Sequence, residues 1–353
     1  MRQVFTIVNH VCHCESRQVG AKQSLLCAIM TIALFLLFPS QGFTQVKEIV
    51  SEGAYNMGDG ETPSIAESRA LLNAKRIALE QAGTYVESYT KVKNLQLTED
   101  EIKVLASGLM EVAILDKKRT IVGDGFRFWV KIKARVNPDK IQDMANRIKV
   151  KDKSFVDDYK KIQEAYDKSQ KDIEDLKKQL AQAKGEKEKK KIEAKITDDE
   201  RLFQANEWFE KGRNYSLNKD YDKAIEAYTK AIALDPNYAD AYNNRGVAYW
   251  DKGQYDRAIE DYNKAITLDP KDAAAYNNRG VAYNDKGQHD RAIEDFNKAI
   301  ALDPNNASAY NNRGFAYYTN GNMGRAISDF QKACDLGEDE NGCKNLQRAL
   351  QNR

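Results

Sequence analysis

Histidine and cysteine are scarce in this chain, and most of them lie near its amino terminus. The sequence contains three histidines and five cysteines, of which only His289, Cys334 and Cys343 lie beyond residue 44. A metal centre needs clustered ligands, and nucleophilic catalysis needs a base beside the nucleophile. The sequence shows neither of these, and no glycine-rich phosphate loop. We therefore predict that the protein is not an enzyme and holds no metal and no cofactor.

An excess of charge of either sign is also missing. The chain has 55 lysine and arginine residues and 53 aspartate and glutamate residues. Residues 1 to 44 hold three of the basic and one of the acidic residues, so the rest of the chain holds 52 of each. Binding to nucleic acid needs a concentrated basic face, so we predict no nucleic-acid partner. Acidic residues such as Glu260, Asp261, Glu294 and Asp295 are expected on solvated helix surfaces.

A long apolar segment of the kind that spans a membrane is absent near the amino terminus. The apolar run from Leu25 to Phe38 has fourteen residues, whereas a spanning helix needs roughly 20. Lys22 precedes the run, and Ser40 and Gly42 follow it as small residues suited to signal peptidase. We therefore predict that residues 1 to 44 are a signal peptide. The alternative is an uncleaved signal anchor, which would attach the chain to a membrane through this segment. Both export the rest of the chain.

The main feature that is present is an internal repeat of 34 residues. This interval separates glycines, alanines, tyrosines and prolines, namely Gly212, Gly246, Gly280 and Gly314; Ala224, Ala258, Ala292 and Ala326; Tyr215, Tyr249, Tyr283 and Tyr317; Pro236, Pro270 and Pro304. Such a period is typical of stacked helix–turn–helix units, each too small to bury its apolar face alone. The small residues indicate where the two helices of a unit cross closely.

These positions resemble the tetratricopeptide repeat family. In the first unit, the family's pattern of aromatic, small and alanine residues followed by proline is found in Trp208, Gly212, Tyr215, Ala224, Tyr228, Ala231 and Pro236. The fourth unit keeps the pattern but has Glu338 in place of proline. The resemblance implies four units over residues 205 to 340, an all-α solenoid, and binding of a protein or peptide rather than catalysis.

The resemblance also implies that the first helix of each unit lines a concave groove. Paired asparagines recur on these helices, as Asn243, Asn244, Asn277, Asn278, Asn311 and Asn312. A row of Asn244, Asn278 and Asn312 is similar to the asparagine ladder with which some members hold an extended peptide, because an amide offers a donor and an acceptor. The alternative is that these asparagines are solvated repeat consensus without a ligand.

Apolar residues on the same helices are candidates for pockets in the groove: Phe209, Val247, Trp250, Val281, Phe315 and Tyr318. The first unit departs from the asparagine pattern, because Phe209 and Glu210 stand at its two positions. The asparagine row is therefore expected to span three units.

Residues 46 to 149 predict a compact α/β unit. A strand is expected from Val46 to Tyr55, and alternation from Phe126 to Val136 after a Gly123-Asp124-Gly125 turn predicts a half-solvated antiparallel hairpin.

The intervening helix is expected to begin with a capping box of Ser64 and Glu67 and to end at Gly83. Its buried stripe is expected to be Ala66, Ala70, Ala74, Ile77, Ala78 and Ala82. A second capping box, Thr98 with Glu101, precedes a short helix.

The alanine-rich run from Ala66 to Val86, with the hairpin, resembles the amino-terminal domain of flagellar assembly protein T and related small lipoproteins. This resemblance implies a bacterial envelope setting, the periplasm or cell envelope, without known catalysis.

Residues 150 to 204 predict a charged helical spacer. A heptad seam runs through Tyr159, Ile162, Tyr166, Ser169, Ile173, Leu176, Leu180 and Ala183. Three interpretations fit this seam. It forms a coiled coil that makes a homodimer through residues 159 to 183, it belongs to a single helix with internal ion pairs, or it packs on its own domain.

Cys334 lies near the end of the last repeat, and Cys343 begins an expected capping helix in residues 341 to 353. In an oxidising compartment this pair predicts a disulfide, and two small buried thiols are the alternative.

These features together predict an exported scaffold that binds a protein or an extended peptide in the groove. One alternative is an assembly factor of an envelope machine, in which residues 46 to 149 make the specific contact. Another is a glycan- or lipid-handling enzyme, which would need a deep polar pocket in residues 46 to 149.

Overall fold

The computed structural model describes residues 46–123, 125–151, 154–337 and 342–351. The predicted signal segment, residues 1 to 44, lies outside these ranges. Among the residues that are described, no helix is both long and apolar enough to cross a membrane.

A three-stranded sheet forms the first part of the described chain. Its strands are β1 (Lys47–Met57), β2 (Met110–Val122) and β3 (Gly125–Val136), in the spatial order β1-β3-β2. Strands β2 and β3 are antiparallel, with Met110 opposite Val136 and Val122 opposite Gly125. The buried residues of β3 alternate as Phe128, Val130, Ile132, Ala134 and Val136. The predicted hairpin is confirmed.

Helix α1 (Pro63–Val92) packs on the sheet, and α2 (Glu99–Leu109) follows it. Five of the predicted stripe residues are fully buried, namely Ala66, Ala70, Ala74, Ala78 and Ala82. Ile77 is an exception, because it is 43% exposed. The expectation that Gly83 ends the helix is wrong, because α1 continues through it to Val92.

The two predicted capping boxes have different outcomes. The Thr98–Glu101 box is present at the start of α2. At the start of α1 the N-cap is Thr62 instead of Ser64, and its backbone N–H donates to the carboxylate of Glu200 at 2.7 Å. A distant side chain therefore performs the capping that the sequence assigned to Glu67.

The predicted spacer is a helical hairpin. After a short 3-10 turn (Pro138–Lys140) and α3 (Ile141–Lys151), helices α4 (Ser154–Gln182) and α5 (Glu186–Leu217) pack together, and Gly185 is the N-cap of α5. Helix α5 continues without a break into the first repeat. The spacer and the first unit therefore share one helix.

The heptad seam of α4 is buried within its own chain. Its residues Tyr159, Ile162, Tyr166, Ser169, Ile173 and Leu180 are each less than 9% exposed. Ile173 and Leu180 pack against Ile192 and Ile196 of α5. The structure thus shows packing on its own domain, and a homodimer through residues 159 to 183 would have to break these contacts.

The repeat array follows as antiparallel helix pairs, which confirms the predicted solenoid. Its helices after α5 are α6 (Tyr221–Leu234), α7 (Ala239–Asp251), α8 (Tyr255–Leu268), α9 (Ala273–Asp285), α10 (His289–Leu302), α11 (Ala307–Thr319), α12 (Met323–Asp335) and the capping helix α13 (Gly342–Gln351). A Cβ added at Gly246 would lie 2.6 Å from the ring of Tyr262. The repeated glycine is therefore required by close helix crossing.

One arginine in each of units 2 to 4 bonds to a buried aspartate of the second helix. Arg245 donates to Asp261 at 2.7 and 2.8 Å, and the same pair recurs as Arg279–Asp295 and Arg313–Asp329. The expectation that Asp261 and Asp295 are solvated is wrong, because both are buried. Glu260 and Glu294 are exposed as expected.

A disulfide joins α12 to α13 at the end of the array. It links Cys334 to Cys343, whose Cα atoms are 4.8 Å apart. Beside it, Leu346 of α13 packs with Ala349 against the cluster that contains Phe330.

Candidate functional site

The candidate site is one face of the first helices of units 2 to 4. On α7, Asp240, Asn244, Val247 and Asp251 follow each other at steps of four, three and four residues, so they share a helix face. The equivalent residues are Asn278, Val281 and Asp285 on α9, and Asn312, Phe315 and Thr319 on α11. We call this surface the groove face.

The asparagines of the groove face bond to one another between repeats. The Nδ2 group of Asn278 donates to Oδ1 of Asn243 at 3.1 Å, and that of Asn312 donates to Oδ1 of Asn277 at 3.1 Å. Asn345 of α13 continues the series by donating to Asn311 at 3.0 Å. These hydrogen bonds link neighbouring units. Neither the peptide ladder nor the solvated consensus that the sequence suggested includes this role.

Asn243 and Asn277 therefore differ from the second asparagine of each pair. Both are buried, at 9% and 7% exposure, and their oxygens are used by the next unit. Asn244, Asn278 and Asn312 are only partly buried, and their side-chain oxygens accept no hydrogen bond from the residues that the structure describes. Of the two asparagine rows that the structure describes, the second is therefore the one that offers side-chain oxygens to a ligand.

At unit 2 the groove face is covered by α4. The Nδ2 group of Asn244 donates to Asp158 at 2.7 Å, and the ammonium of Lys161 lies 2.8 Å from the carboxylate of Asp240. Asn244 has no asparagine of a preceding unit to bond, because Phe209 stands at that position. Asp158 takes the place of the missing asparagine.

Phe209 itself is not part of a pocket, contrary to the prediction. It is fully buried, with its ring centroid 5.7 Å from that of Tyr228 and 4.8 Å from that of Tyr238. It belongs to the cluster in which Ile162 and Tyr166 of α4 join the first repeat. The sequence signal was present, since an apolar residue replaces asparagine only in the first unit, against which Ile162 and Tyr166 of α4 pack.

Burial raises the pKa of Asp158 to about 7. The nearby carboxylate of Asp240 raises the pKa further, whereas the hydrogen bond from Asn244 and the charges of Arg213 and Lys161 lower it. Arg213 is fully buried, with its guanidinium carbon 5.2 Å from the ring centroid of Tyr159. The covered end of the groove face is thus a desolvated site around one carboxyl group.

The apolar residues predicted to line pockets differ in how far their side chains are exposed. Val247 and Trp250 pack against the cluster of Ala258 and Tyr262. Val281 packs against the cluster of Phe296 and Tyr318 against that of Phe330. Phe315 is 46% exposed, so an apolar group is available to a partner mainly at unit 4.

The indole N–H of Trp250 donates to the carboxylate of Asp285 at 2.7 Å. This bond crosses from unit 2 to unit 3, and Asp285 itself remains exposed. The groove face therefore carries an exposed carboxylate two helical turns beyond Asn278.

The α/β part has an open cleft of about 750 Å³ between α1, α2 and α4. Several of its charged lining residues are paired with each other, Arg76 with Asp167 at 2.6 Å and Lys103 with Glu99 at 2.7 Å. No cluster of metal-binding side chains occurs among the described residues.

Comparisons with known proteins identify the repeats. Residues 212–253 and 282–321 match a TPR repeat model, and residues 239–272, 261–294 and 307–340 match tetratricopeptide repeat models. All of these matches lie within the array. The resemblance of residues 46 to 149 to flagellar assembly protein T is not supported by them and stays a prediction.

The similar proteins cover only part of this chain. An uncharacterized protein of Methanocaldococcus jannaschii is 38% identical over 50 residues, which is 14% of this chain and 58% of that protein. The chain thus matches little more than half of that relative's length. Among solved structures, the Arabidopsis OM64 TPR domain is 30% identical with a TM-score of 0.32, over 33% of this chain and 96% of that one.

The first TPR of Spaghetti (RPAP3), solved bound to an HSP90 peptide, is 30% identical with a TM-score of 0.34, over 34% of this chain and 95% of that one. Tetratricopeptide repeat proteins mediate protein–protein interactions. The stacked helix pairs, the 34-residue period and the family matches agree, so residues 212 to 340 of this chain are tetratricopeptide repeats.

Proposed function

We propose that this protein is an interaction scaffold whose groove face binds an extended segment of a partner protein. The observation that carries the proposal is the exposed side chain of Phe315 beside the open amide oxygens of Asn278 and Asn312. An apolar anchor flanked by regularly spaced polar groups is what a peptide groove requires.

Each unit would contribute one amide to the backbone of the bound segment. The oxygens of Asn278 and Asn312 are positioned to accept backbone N–H groups irrespective of the partner's side chains. Val281, Phe315 and Tyr318 would contact apolar side chains of the segment. Because α4 covers the face at Asn244, the bound segment would extend from the edge of α4 toward α13.

The test is selection of peptides from a random twelve-residue phage library on the full chain. We expect the selected peptides to bind the Phe315→Ala variant about tenfold more weakly, because a buried aromatic anchor contributes on the order of 1–2 kcal/mol. Phe315 is exposed, so the variant should fold. The control is Ile121→Ala, which removes a 76% exposed side chain from β2 and should leave affinity unchanged. Peptides that bind both variants equally would contradict the proposal.

A second candidate function is supported by strand β2. Its residues 113 to 122 are all exposed, and it lies at the edge of the sheet. An exposed edge strand can pair with a strand of another protein. In that case the α/β part makes the specific contact in an envelope assembly, and the selected peptides would lose affinity for the Ile121→Ala variant instead.

We also propose that residues 1 to 44 export the chain to the periplasm or envelope. The apolar run Leu25 to Phe38 and the Cys334–Cys343 disulfide support this, because disulfides persist mainly in oxidising compartments. A periplasm-dependent reporter fused to the carboxyl terminus should be active, and activity of a cytoplasm-dependent reporter alone would contradict export.

A further inference from the structure

The groove face presents hydrogen-bond acceptors in excess of donors. Each Nδ2 group of Asn278 and Asn312 already donates one of its two N–H bonds to the preceding unit. Their oxygens are open, and the exposed carboxylate of Asp285 can accept further hydrogen bonds beside the one from the indole N–H of Trp250. A ligand that lies along this face therefore meets mainly groups that accept hydrogen bonds.

The basic residues of the same helices do not balance these acceptors. Helices α7, α9 and α11 contain one basic residue each, namely Arg245, Arg279 and Arg313. Each of these arginines donates two hydrogen bonds to a buried aspartate of the second helix. The arginine charges are therefore neutralised within their own units, and the carboxylate of Asp285 gives the groove face of unit 3 a negative charge.

Helix α4 shows how the face receives a cation. At unit 2, the ammonium of Lys161 lies 2.8 Å from the carboxylate of Asp240. Asp158 of the same helix accepts a hydrogen bond from the Nδ2 group of Asn244. Asn244 donates to Asp158 because Phe209 stands where the preceding unit would otherwise supply an asparagine acceptor. At units 3 and 4 the asparagines donate to the preceding unit instead. The part of the contact that can be repeated there is the binding of a cation by an acceptor of the groove face.

We propose that the groove face of units 3 and 4 binds a partner segment that carries lysine or arginine side chains. This inference rests on the proposed function and names the chemistry of its partner. The cationic groups would donate to Asp285 and to the oxygens of Asn278 and Asn312. Their methylene stems would lie along Val281 and Phe315, where the aromatic face also attracts a cation. The segment would continue the line of α4, whose Lys161 is the first cation of the series.

Three fluorescent twelve-residue peptides with identical apolar residues test this. They carry lysine, glutamine or glutamate at the remaining positions, and their affinity for the full chain is measured by anisotropy at low salt. We expect the lysine peptide to bind about tenfold more tightly than the glutamine peptide, since one ion pair with Asp285 and charge-assisted hydrogen bonds to the two amide oxygens add up. The glutamate peptide should bind least.

Two variants locate the effect on the groove face. Asp285→Asn keeps an oxygen for the indole N–H of Trp250 but removes the charge, so the lysine peptide should bind about threefold more weakly. Thr319→Asp supplies the acidic residue that units 2 and 3 have at this position, and should tighten binding by about as much. The matched control is Glu294→Gln, which removes an exposed charge from the second helix of unit 3 and should change nothing.

The outcomes separate this inference from the proposed function. If the glutamine or glutamate peptide binds as tightly as the lysine peptide and Phe315→Ala still weakens binding, the groove binds peptides but does not select cations. If Glu294→Gln weakens the lysine peptide as much as Asp285→Asn does, attraction is general and the inference is overturned. If no peptide responds to Phe315→Ala, both proposals fail.

Discussion

The two ends of the repeat array are closed by different chemistry. At the amino-terminal end, α4 covers the first unit with buried apolar residues and places Asp158 on Asn244. At the carboxyl-terminal end, α13 has ten residues and is held by a disulfide and by the bond from Asn345 to Asn311. Both ends continue the asparagine series, one with the carboxyl group of Asp158 and the other with Asn345, and the carboxyl-terminal end adds a covalent link.

The difference follows from how much surface each cap buries. A solenoid exposes the apolar face of its terminal units unless a capping element covers it. Helix α4 is anchored by Ile162 and Tyr166 in a large cluster, so its contact with unit 2 can tolerate a desolvated carboxyl group. Helix α13 offers mainly Leu346 and Ala349, which is little apolar area for a helix of its length. One end should therefore respond to pH and the other to reductant.

The largest expected effect is on the pH dependence of the amino-terminal end. The pKa of Asp158 rises from 3.8 to about 7 on folding, so between these values the folded chain binds a proton that the unfolded chain has lost. The contribution of protonated Asp158 to the free energy of unfolding is fully present below about pH 4 and is lost as the pH rises to about 7. Relative to Asp158→Asn, which cannot ionise, the free energy of unfolding of the natural chain should fall by at most about 4 kcal/mol across this window.

Urea denaturation of both proteins at intervals from pH 4 to pH 8 measures this difference. Asp157→Asn is the control, because Asp157 is the exposed neighbour of Asp158 on α4 and its removal should leave the pH profile unchanged. A constant difference between the natural chain and Asp158→Asn over the whole range would show that Asp158 is ionised throughout.

The contact of α4 with the array was beyond what the sequence could predict. Periodicity identified the repeat and its close crossings, because Gly246 and Tyr262 lie in one unit and their spacing is local. It also found the seam of α4. It could not say which surface the seam covers, because the contact between Asp158 and Asn244 spans 86 residues and depends on how α4 and α5 fold back.

The burial of Asp261 likewise depends on a contact that local spacing does not reveal. Asp261 has the spacing of a solvated residue on α8, and only the partner Arg245 on another helix makes its burial favourable. Gly83 gave a misleading signal for a similar reason. Burial of the alanine stripe before it and of Val86 and Tyr89 after it outweighs the cost of about 1 kcal/mol for glycine within a helix.

The next largest effect should come from the disulfide at the carboxyl-terminal end. Replacing both Cys334 and Cys343 by serine should lower the free energy of unfolding by about 2–3 kcal/mol, because a short loop is released in the unfolded chain. Thermal denaturation with and without reductant measures this. Reductant should shift the natural chain to the variant's melting temperature and leave the variant unaffected. If reductant changes nothing in the natural chain, the cysteines are free thiols.

The smallest effect should distinguish the end of the asparagine series from its middle. Asn277→Ala removes a buried acceptor between units 3 and 4, and Asn311→Ala removes the acceptor of Asn345 at the end. Each should cost about 0.5–1.5 kcal/mol, with the buried site at the upper limit.

The two sites should differ when the disulfide is reduced. Once the disulfide is broken, α13 is held mainly by its small apolar contact and by Asn345, so it should separate locally before the rest of the array unfolds. Asn311→Ala should then cost almost nothing in global stability, whereas Asn277→Ala should cost the same in both redox states. A double-mutant cycle combining each alanine variant with Cys334→Ser measures the coupling. Equal coupling for both asparagines would mean that the disulfide acts on the whole array, and that the carboxyl-terminal cap is not a separate unit of stability.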